Sequence, residues 1–499
     1  MSDFDTDVLI AGGGPTGLTL AIQLARQGVS FRLVDKAEQY FLGSRGDGIQ
    51  PRTLEVFDDL GIIDTVLATG RTEALIRSYR KGTVVWEGRM TEPVEVKPDV
   101  PYPNPYFVPQ WLTEQIIRDR LAELGGKVEL GTELAGFTQD EDGVTATLRQ
   151  GGAEQVVRAR YLVGADGGHS VVRRTLGLKF IGETNDDTRL MLADVRVPGL
   201  DHETGHVFSN GDDPATAGAF VVFTPLYGTY PDAFVLAGTP PERDEDLTLD
   251  YLRDVANRAT EGYPELELTD LSWSTFWRLN VRMVERFRVG RAFLAGDAAH
   301  VHPPTGGQGL NTGVQDGYNL GWKLASVLTG APAALLDTYE AERLPIAKDV
   351  LRISHEIMDK HERGDEDAIV RGPETQQLLL NYRGGPLTRE LRAEPGGVLA
   401  GDRAPDAPAL DANGKPIRVF DLLRGPHWTV LAFGVPVGEV GVPVYSVGTD
   451  LVDDRGFVRA GYQVDGPTVF VIRPDGYVGL AANSADEVGE YLRGASALG

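Results

Sequence analysis

A hydrophobic strand, Asp7-Val8-Leu9-Ile10-Ala11, runs straight into Gly12-Gly13-Gly14-Pro15-Thr16-Gly17, and this junction constrains the fold more than any other stretch of the chain. The residues that follow, with Leu18, Leu20, Ala21, Leu24 and Ala25 on one face, predict an amphipathic helix. Gly12, Gly14 and Gly17 have the spacing of a dinucleotide fingerprint: a tight turn, a close approach for pyrophosphate, and a close helix–strand contact. The helix that starts at Pro15 and Thr16 offers free N–H groups and a positive dipole end to phosphate. A second strand, Phe31-Arg32-Leu33-Val34, leads into Asp35 and Lys36. Asp35 stands eighteen residues after Gly17, where a carboxylate can accept hydrogen bonds from the ribose of an adenosine. Strand, glycines, helix, strand and acid in that order predict an ADP-containing ligand on an α/β domain.

Two distant segments decide which dinucleotide this is. Tyr161-Leu162-Val163-Gly164-Ala165-Asp166-Gly167-Gly168-His169-Ser170 reads as a strand and a turn, leading to a short basic helix. Arg291-Ala292-Phe293-Leu294-Ala295-Gly296-Asp297 reads as a buried strand ending on an acid. It continues through Pro303-Pro304-Thr305-Gly306-Gly307-Gln308-Gly309-Leu310-Asn311 into a helix carrying Asp316, Tyr318, Asn319 and Lys323. A cofactor that also needs segments far beyond the first βαβ unit is expected to be FAD, with its long ribityl-flavin arm.

These three signatures resemble those of the class A flavoprotein monooxygenases, the aromatic-hydroxylase family related to para-hydroxybenzoate hydroxylase. Ser44-Arg45, Arg52-Thr53-Leu54-Glu55-Val56, Gln110 with Glu114, and Leu336 to Arg343 match further patterns of that family. The resemblance covers residues 5 to 345 and continues more weakly to the C-terminus. Asp35 departs from it, since many members carry Glu there, but either carboxylate serves a ribose diol. The resemblance implies non-covalent FAD, transient NADPH or NADH, and O2. An electron-rich ring carbon of a phenolic or polyketide-type substrate would attack a flavin C4a-hydroperoxide. It further implies that Asp297 accepts from ribityl hydroxyls and that Gly307, Gly309, Leu310 and Asn311 present N–H groups to the pyrimidine edge of the flavin. Pro304 would pack near the reactive edge, Arg45 and Gln110 would hold the pyrophosphate and ribityl chain, and Asp166 would serve either the pyrophosphate region or nicotinamide. The residue that deprotonates a phenol is not identified at this stage.

At 499 residues the chain has room for two or three domains. The expected fold is α/β: a glutathione-reductase-type FAD domain (1–71, 101–180 and 281–395), an inserted β-sheet substrate domain (72–100 and 181–280), and a thioredoxin-like domain (396–499). The last has no Cys, so thiol chemistry is excluded and a structural role is expected. Forty-eight basic against 73 acidic residues give a net charge of −25, which disfavours nucleic acid and anionic membranes as partners. No run approaches the ~18 apolar residues of a membrane span, so a cytoplasmic monomer or homodimer is expected.

His202-Glu203-Thr204-Gly205-His206 matches a zinc-protease pattern literally, but that pattern requires a helix, and Gly205 and the following Val207-Phe208 argue against one. No metal is expected. Trp273, Phe276 and Trp277 are candidates to line a substrate pocket, with core packing as the alternative. Two other outcomes remain open: Baeyer–Villiger or antibiotic-inactivating oxidation on the same scaffold, and a non-catalytic flavin or ligand binder. A flavin halogenase is disfavoured, because no Trp-x-Trp-x-Ile segment is present.

Overall fold

The computed structural model describes residues 4–72, 74–211, 220–240, 247–302, 307–363 and 370–496. Its first sheet takes strands in the order 288–289, 292–294, 153–164, 6–11, 31–34 and 128–129, with the hairpin of 132–139 and 144–150 attached. The strands from 292–294 to 128–129 pair in parallel. Parallel strands are covered on both faces, and Val8, Leu9 and Ile10 are accordingly fully buried.

The first helix, Pro15–Ala25, buries Leu18, Leu20, Ala21, Ile22 and Leu24, because the helix Gly309–Leu328 lies across it. Gly313, Gly317 and Gly321 recur every fourth residue on the second helix and so form one stripe. A Cβ added at Gly313 would sit 2.5 Å from Thr16 Oγ1, and one at Gly317 would sit 2.5 Å from the Thr16 carbonyl oxygen. The stripe lets the two backbones touch, and the first turns of both helices are thereby brought together.

The second sheet runs in the order 300–301, 269–283, 181–196, 233–238, 220–225, 204–209, 75–80 and 83–88. One face packs Met191, Ala193, Val195, Phe208, Phe223, Phe234 and Leu236 against Leu252 and Val255 of the helix Leu249–Ala259. By alternation, the other face carries Leu190, Leu192, Asp194, Trp273, Thr275, Val235, Ala237, Val222, Thr224 and Val207. All of these except Asp194 are only half-buried.

The third sheet runs in the order 389–390, 478–482, 468–472, 429–433, 444–447, 451–452, 408–411 and 416–418. Strand 429–433 pairs in parallel with 444–447 and antiparallel with 468–472, which forms a hairpin with 478–482. Arg389–Glu390 adds an edge from the segment before residue 396.

The hairpin turn Arg473-Pro474-Asp475-Gly476 is buried against the first domain. Arg473 donates to both oxygens of Glu342 at 2.7 and 2.8 Å and to Asp475 at 2.9 and 2.7 Å, while Lys323 donates to Glu342 at 2.7 Å. Asn319 and the Trp322 indole N–H also donate to Asp475.

Candidate functional site

The glycine junction forms the first corner of the site. Gly12 adopts φ +108°, and a Cβ there would lie 2.1 Å from the Ala165 carbonyl oxygen. A Cβ on Gly17 would lie 2.0 Å from the Gly12 carbonyl oxygen, whereas Gly14 has open space around it. Gly12 and Gly17 are therefore glycines for packing and Gly14 is one for approach. Among the described residues no side chain caps the helix at Gly14 and no acid stands in its first turn, so its N–H groups remain available to an anion. Asp35 accepts from Gly13 N–H at 2.7 Å and from Ala37 N–H at 2.8 Å, which holds the carboxylate at the rim of this corner beside exposed Lys36.

Two charged clasps draw the distant motifs to the same place. Asp166 accepts from the N–H groups of Val171 at 2.6 Å and Val172 at 3.3 Å, fastening the turn after its strand. Arg173 then reaches the carbonyls of Gly168 at 2.6 Å and Ala298 at 2.9 Å, joining the Asp-Gly loop to the Gly-Asp turn. Under that turn, Asp316 accepts from Gly296 N–H at 3.0 Å, pairs with His300 at 2.7 Å and binds Arg343 at 2.7 Å. Burial alone would raise the Asp316 carboxyl, but Arg343 and His300 outweigh it and hold it low.

Asp297 is the next residue of that turn. Its side chain meets solvent in a recess walled by protein, and that crowding raises its carboxyl while His300 and Arg45 pull it down. Arg45 is exposed, stacks 4.7 Å over Phe41 and also acts on Glu114, to which Gln110 donates at 2.8 Å. Arg45 thus acts on Asp297 and on Glu114, the partner of Gln110.

At the start of the helix Gly309–Leu328 the first turn again carries no acid and, among the described residues, no side-chain cap. The Asn311 side chain does not face outward. It accepts from Gln50 N–H at 2.8 Å and donates to the carbonyls of Gly48 at 2.8 Å and Gly307 at 2.6 Å, tying the 48–50 segment to the helix. What Gly307, Gly309, Leu310 and Asn311 can offer a ligand is therefore backbone. Pro304 lies outside the described residues.

The half-buried face of the second sheet looks onto this recess. Phe41 meets Trp273 edge-on at 5.5 Å, and Gly43 lies so close that a Cβ would stand 2.4 Å from the Trp273 ring. Phe276 points to the opposite, helix-covered face, and the Trp277 side chain lies outside the described residues. The two histidines of the zinc-like pattern use Nε2 elsewhere: His202 bonds to the Ala233 carbonyl at 2.9 Å and His206 to the Asp201 carbonyl at 2.8 Å. A ring N–H donating to a carbonyl has no lone pair for a metal. His206 also lies on a strand rather than on the helix the pattern needs.

Two acids of this region escape the sequence motifs. Asp194, 4% exposed, lies on strand 181–196 beside Trp273, with Ser44 facing it and its Oδ1 without a hydrogen-bond partner. Burial pushes it up to about 7, Ser44 pulls the other way, and Asp47 adds to the rise. Asp47 itself is raised to about 6 by burial, against its own and the Gly48 backbone N–H groups.

Comparison with known proteins identifies the family. The FAD binding domain family matches residues 5–354. A flavin-dependent monooxygenase of Mycobacteroides abscessus is 46% identical over 490 residues, spanning 97% of this chain and 99% of that one. Pentachlorophenol 4-monooxygenase of Sphingobium chlorophenolicum is 34% identical over 87% of this chain and 81% of that one. The crystal structure of a ternary complex of aklavinone-11 hydroxylase with FAD and aklavinone superposes with a TM-score of 0.82. It is 30% identical, with 99% of each chain covered. The chain belongs to the FAD binding domain family of flavoprotein hydroxylases. It is an FAD-dependent monooxygenase, with NAD(P)H as its electron donor.

Proposed function

We propose that the recess hydroxylates a planar phenolic or polyketide-type aromatic compound. The observation that carries this reading is the open apolar face of the second sheet. Leu190, Leu192, Val222, Val235, Ala237 and Trp273 stand half-buried on the sheet face that the 41–44 loop meets at Trp273, a broad flat wall suited to fused aromatic rings. The relatives that act on pentachlorophenol and aklavinone support the same substrate class.

In this reading Gly12, Gly14, Pro15, Thr16 and Gly17 cradle the FAD pyrophosphate, and Asp35 beside Lys36 receives the adenosine ribose. Asp297 takes ribityl hydroxyls, with Arg45 and Gln110 beside the chain and Asp166 fastening the loop behind it. The backbone N–H groups from Gly307 to Asn311 would hold the pyrimidine edge of the ring, at a helix start whose positive end favours negative charge. FAD supplies the oxygen-activating chemistry when bound. The chain contributes orientation and a water-poor cleft: Trp273 and the apolar wall hold the substrate ring, while the Asp316–Arg343 clasp fixes the turn that presents Asp297.

The test is NADPH oxidation by the FAD-loaded protein across a panel of mono- and polycyclic phenols, with product mass recorded. Acceleration by a phenol together with a product one oxygen heavier is expected. Substrate-independent oxidation to peroxide with every phenol would contradict the reading.

A further inference from the structure

The helix Gly309–Leu328 is held at its start by a segment that no sequence motif marks. Residues 371–382 follow the long helix Asp337–Arg363 in the chain. Arg371 N–H donates to the Met90 carbonyl at 2.7 Å and the Arg343 guanidinium to the Tyr382 hydroxyl at 3.1 Å, so the segment is fastened at both ends. Between them Gln377, 2% exposed, lies against the helix. Its amide nitrogen donates to Gln308 Oε1 at 2.6 Å and to Thr312 Oγ1 at 3.3 Å, and its Oε1 accepts from the Gln315 amide at 2.6 Å. Gln308, Thr312 and Gln315 stand four and three residues apart, so they share one face. One side chain thus spans the first two turns.

Gln308 carries the effect to the helix start. Its amide nitrogen donates to the Thr375 carbonyl at 2.8 Å while Gln377 occupies its Oε1, which draws the side chain back into the protein. The Gln308 carbonyl accepts from Thr312 N–H at 2.8 Å, the first bond of the helical ladder. Fixing Gln308 therefore fixes where the N–H groups that follow it point. Asn311 binds the 48–50 segment and Arg343 donates to the Thr312 carbonyl at 3.2 Å, but neither of these bonds holds Gln308. Gln377 itself takes φ +61°, a left-handed conformation that few residues with side chains adopt. Backbone strain of this kind persists only where its surroundings impose it, and it clusters near functional sites.

We propose that Gln377 is a positioning residue for the flavin: by holding Gln308 and Thr312 it fixes the first turn of the helix Gly309–Leu328, and so sets how strongly the site prefers the reduced cofactor. This rests on the assignment of that helix start to the pyrimidine edge of the ring, and it names the residue that keeps the helix start in place. Reduction brings negative charge toward that edge. A helix start favours such charge most when its N–H groups are already aimed and need not reorganise. Without the Gln377 amide the first turn opens and its N–H groups turn to water. The oxidised ring carries no such charge, so it loses less than the reduced ring does.

The experiment measures the two-electron reduction potential of FAD-loaded full-length protein by reductive titration against a reference dye, together with the dissociation constant of oxidised FAD. Gln377→Leu is expected to weaken the hold on reduced relative to oxidised FAD about tenfold, which lowers the potential by about 30 mV. Its affinity for oxidised FAD should change by less than about threefold, since the phosphate and ribityl contacts lie elsewhere. Gln377→Asn accepts left-handed backbone readily but lacks one methylene of reach, and a fall of about threefold is expected; it decides the matter where the leucine variant does not fold. Val350→Ala loosens the apolar cluster that includes Tyr382 without removing any of these amide bonds, and it should keep the wild-type potential. A merely structural role for Gln377 would weaken both redox forms together and leave the potential unmoved. An unmoved potential in the Gln377 variant that folds, or an equal fall in Val350→Ala, would overturn the proposal. None of these measurements needs a substrate, so a heavier product from a phenol would still uphold the hydroxylase reading by itself.

Discussion

Two groups of buried acids in this protein are treated in opposite ways. Where the third sheet meets the first domain, Glu342 and Asp475 are enclosed with Lys323 and Arg473, and Asp316 is enclosed with Arg343. Burial would raise Glu342, but Arg473 and Lys323 overcome it and hold the carboxyl low. In the cleft, Asp194 and Asp47 are also withdrawn from water, yet among the described residues no cation is paired with them, and both carboxyls are raised. Fully paired charge fastens domains. Unpaired acid withdrawn from water keeps its proton to higher pH, and strongly perturbed carboxyls gather at functional sites.

The largest effect should come from breaking the paired group. Arg473→Met leaves Glu342 and Asp475 buried with less compensation and should cost about 3–5 kcal/mol in urea denaturation, or prevent folding outright. A loss below about 1 kcal/mol would mean that water already reaches this cluster.

The unpaired group should respond in the opposite direction. Asp194 is raised from an ordinary carboxylate value near 3.8 to about 7, so the folded state binds its proton more tightly than the unfolded chain does. Its contribution to stability is then complete below about pH 4 and is lost as pH rises through about 7. Asp194→Asn should remove that loss, giving a relative gain on the order of 2–4 kcal/mol at pH 8 and little change at pH 4. Denaturation at the two pH values checks it, and equal shifts at both would place Asp194 in a neutral environment.

How far the sequence reveals these regions depends on the reach of each interaction. Gly12, Gly14, Gly17 and Asp35 are legible because turn, helix start and the acid at the strand end fall within one βαβ unit. Asp297 is legible because strand, glycine and acid are contiguous. The run from Leu336 to Arg343 matches a family pattern in sequence, but only the fold shows why: Arg343 reaches Asp316, Tyr339 bonds the Leu294 carbonyl at 2.8 Å, and Glu342 meets Arg473. Arg473-Pro474-Asp475-Gly476 reads as a turn, which it is, but nothing local indicates that both charged residues are almost wholly buried. Asp47 and Asp194 are hidden for a further reason. Each is an ordinary polar residue in its own loop or strand, and they come to one region only when the loop docks on Trp273.

A smaller effect is expected at the cofactor contacts, where one side chain shares its task with many backbone groups. Asp297→Ala should weaken FAD binding by roughly 1.5–3 kcal/mol, with Asp297→Asn milder, as measured by flavin released on dilution. Unchanged affinity in the alanine variant would give the residue another role. At the bottom of the scale lies the exposed pair Arg149 and Glu154, 2.9 Å apart with both side chains more than half exposed. Glu154→Ala should alter stability by less than about 0.5 kcal/mol, and a larger change would show that exposed and buried pairs differ less here than the comparison holds.

The central claim is that the recess between the paired helix starts and the apolar sheet face oxygenates a phenolic ring. Its most direct test is turnover of the FAD-loaded protein with NADPH and isotopically labelled dioxygen, using the phenol that most accelerates NADPH oxidation. The account predicts that one labelled oxygen atom appears on the ring of the product. Label found only in peroxide and water, with the phenol recovered unchanged, would contradict it.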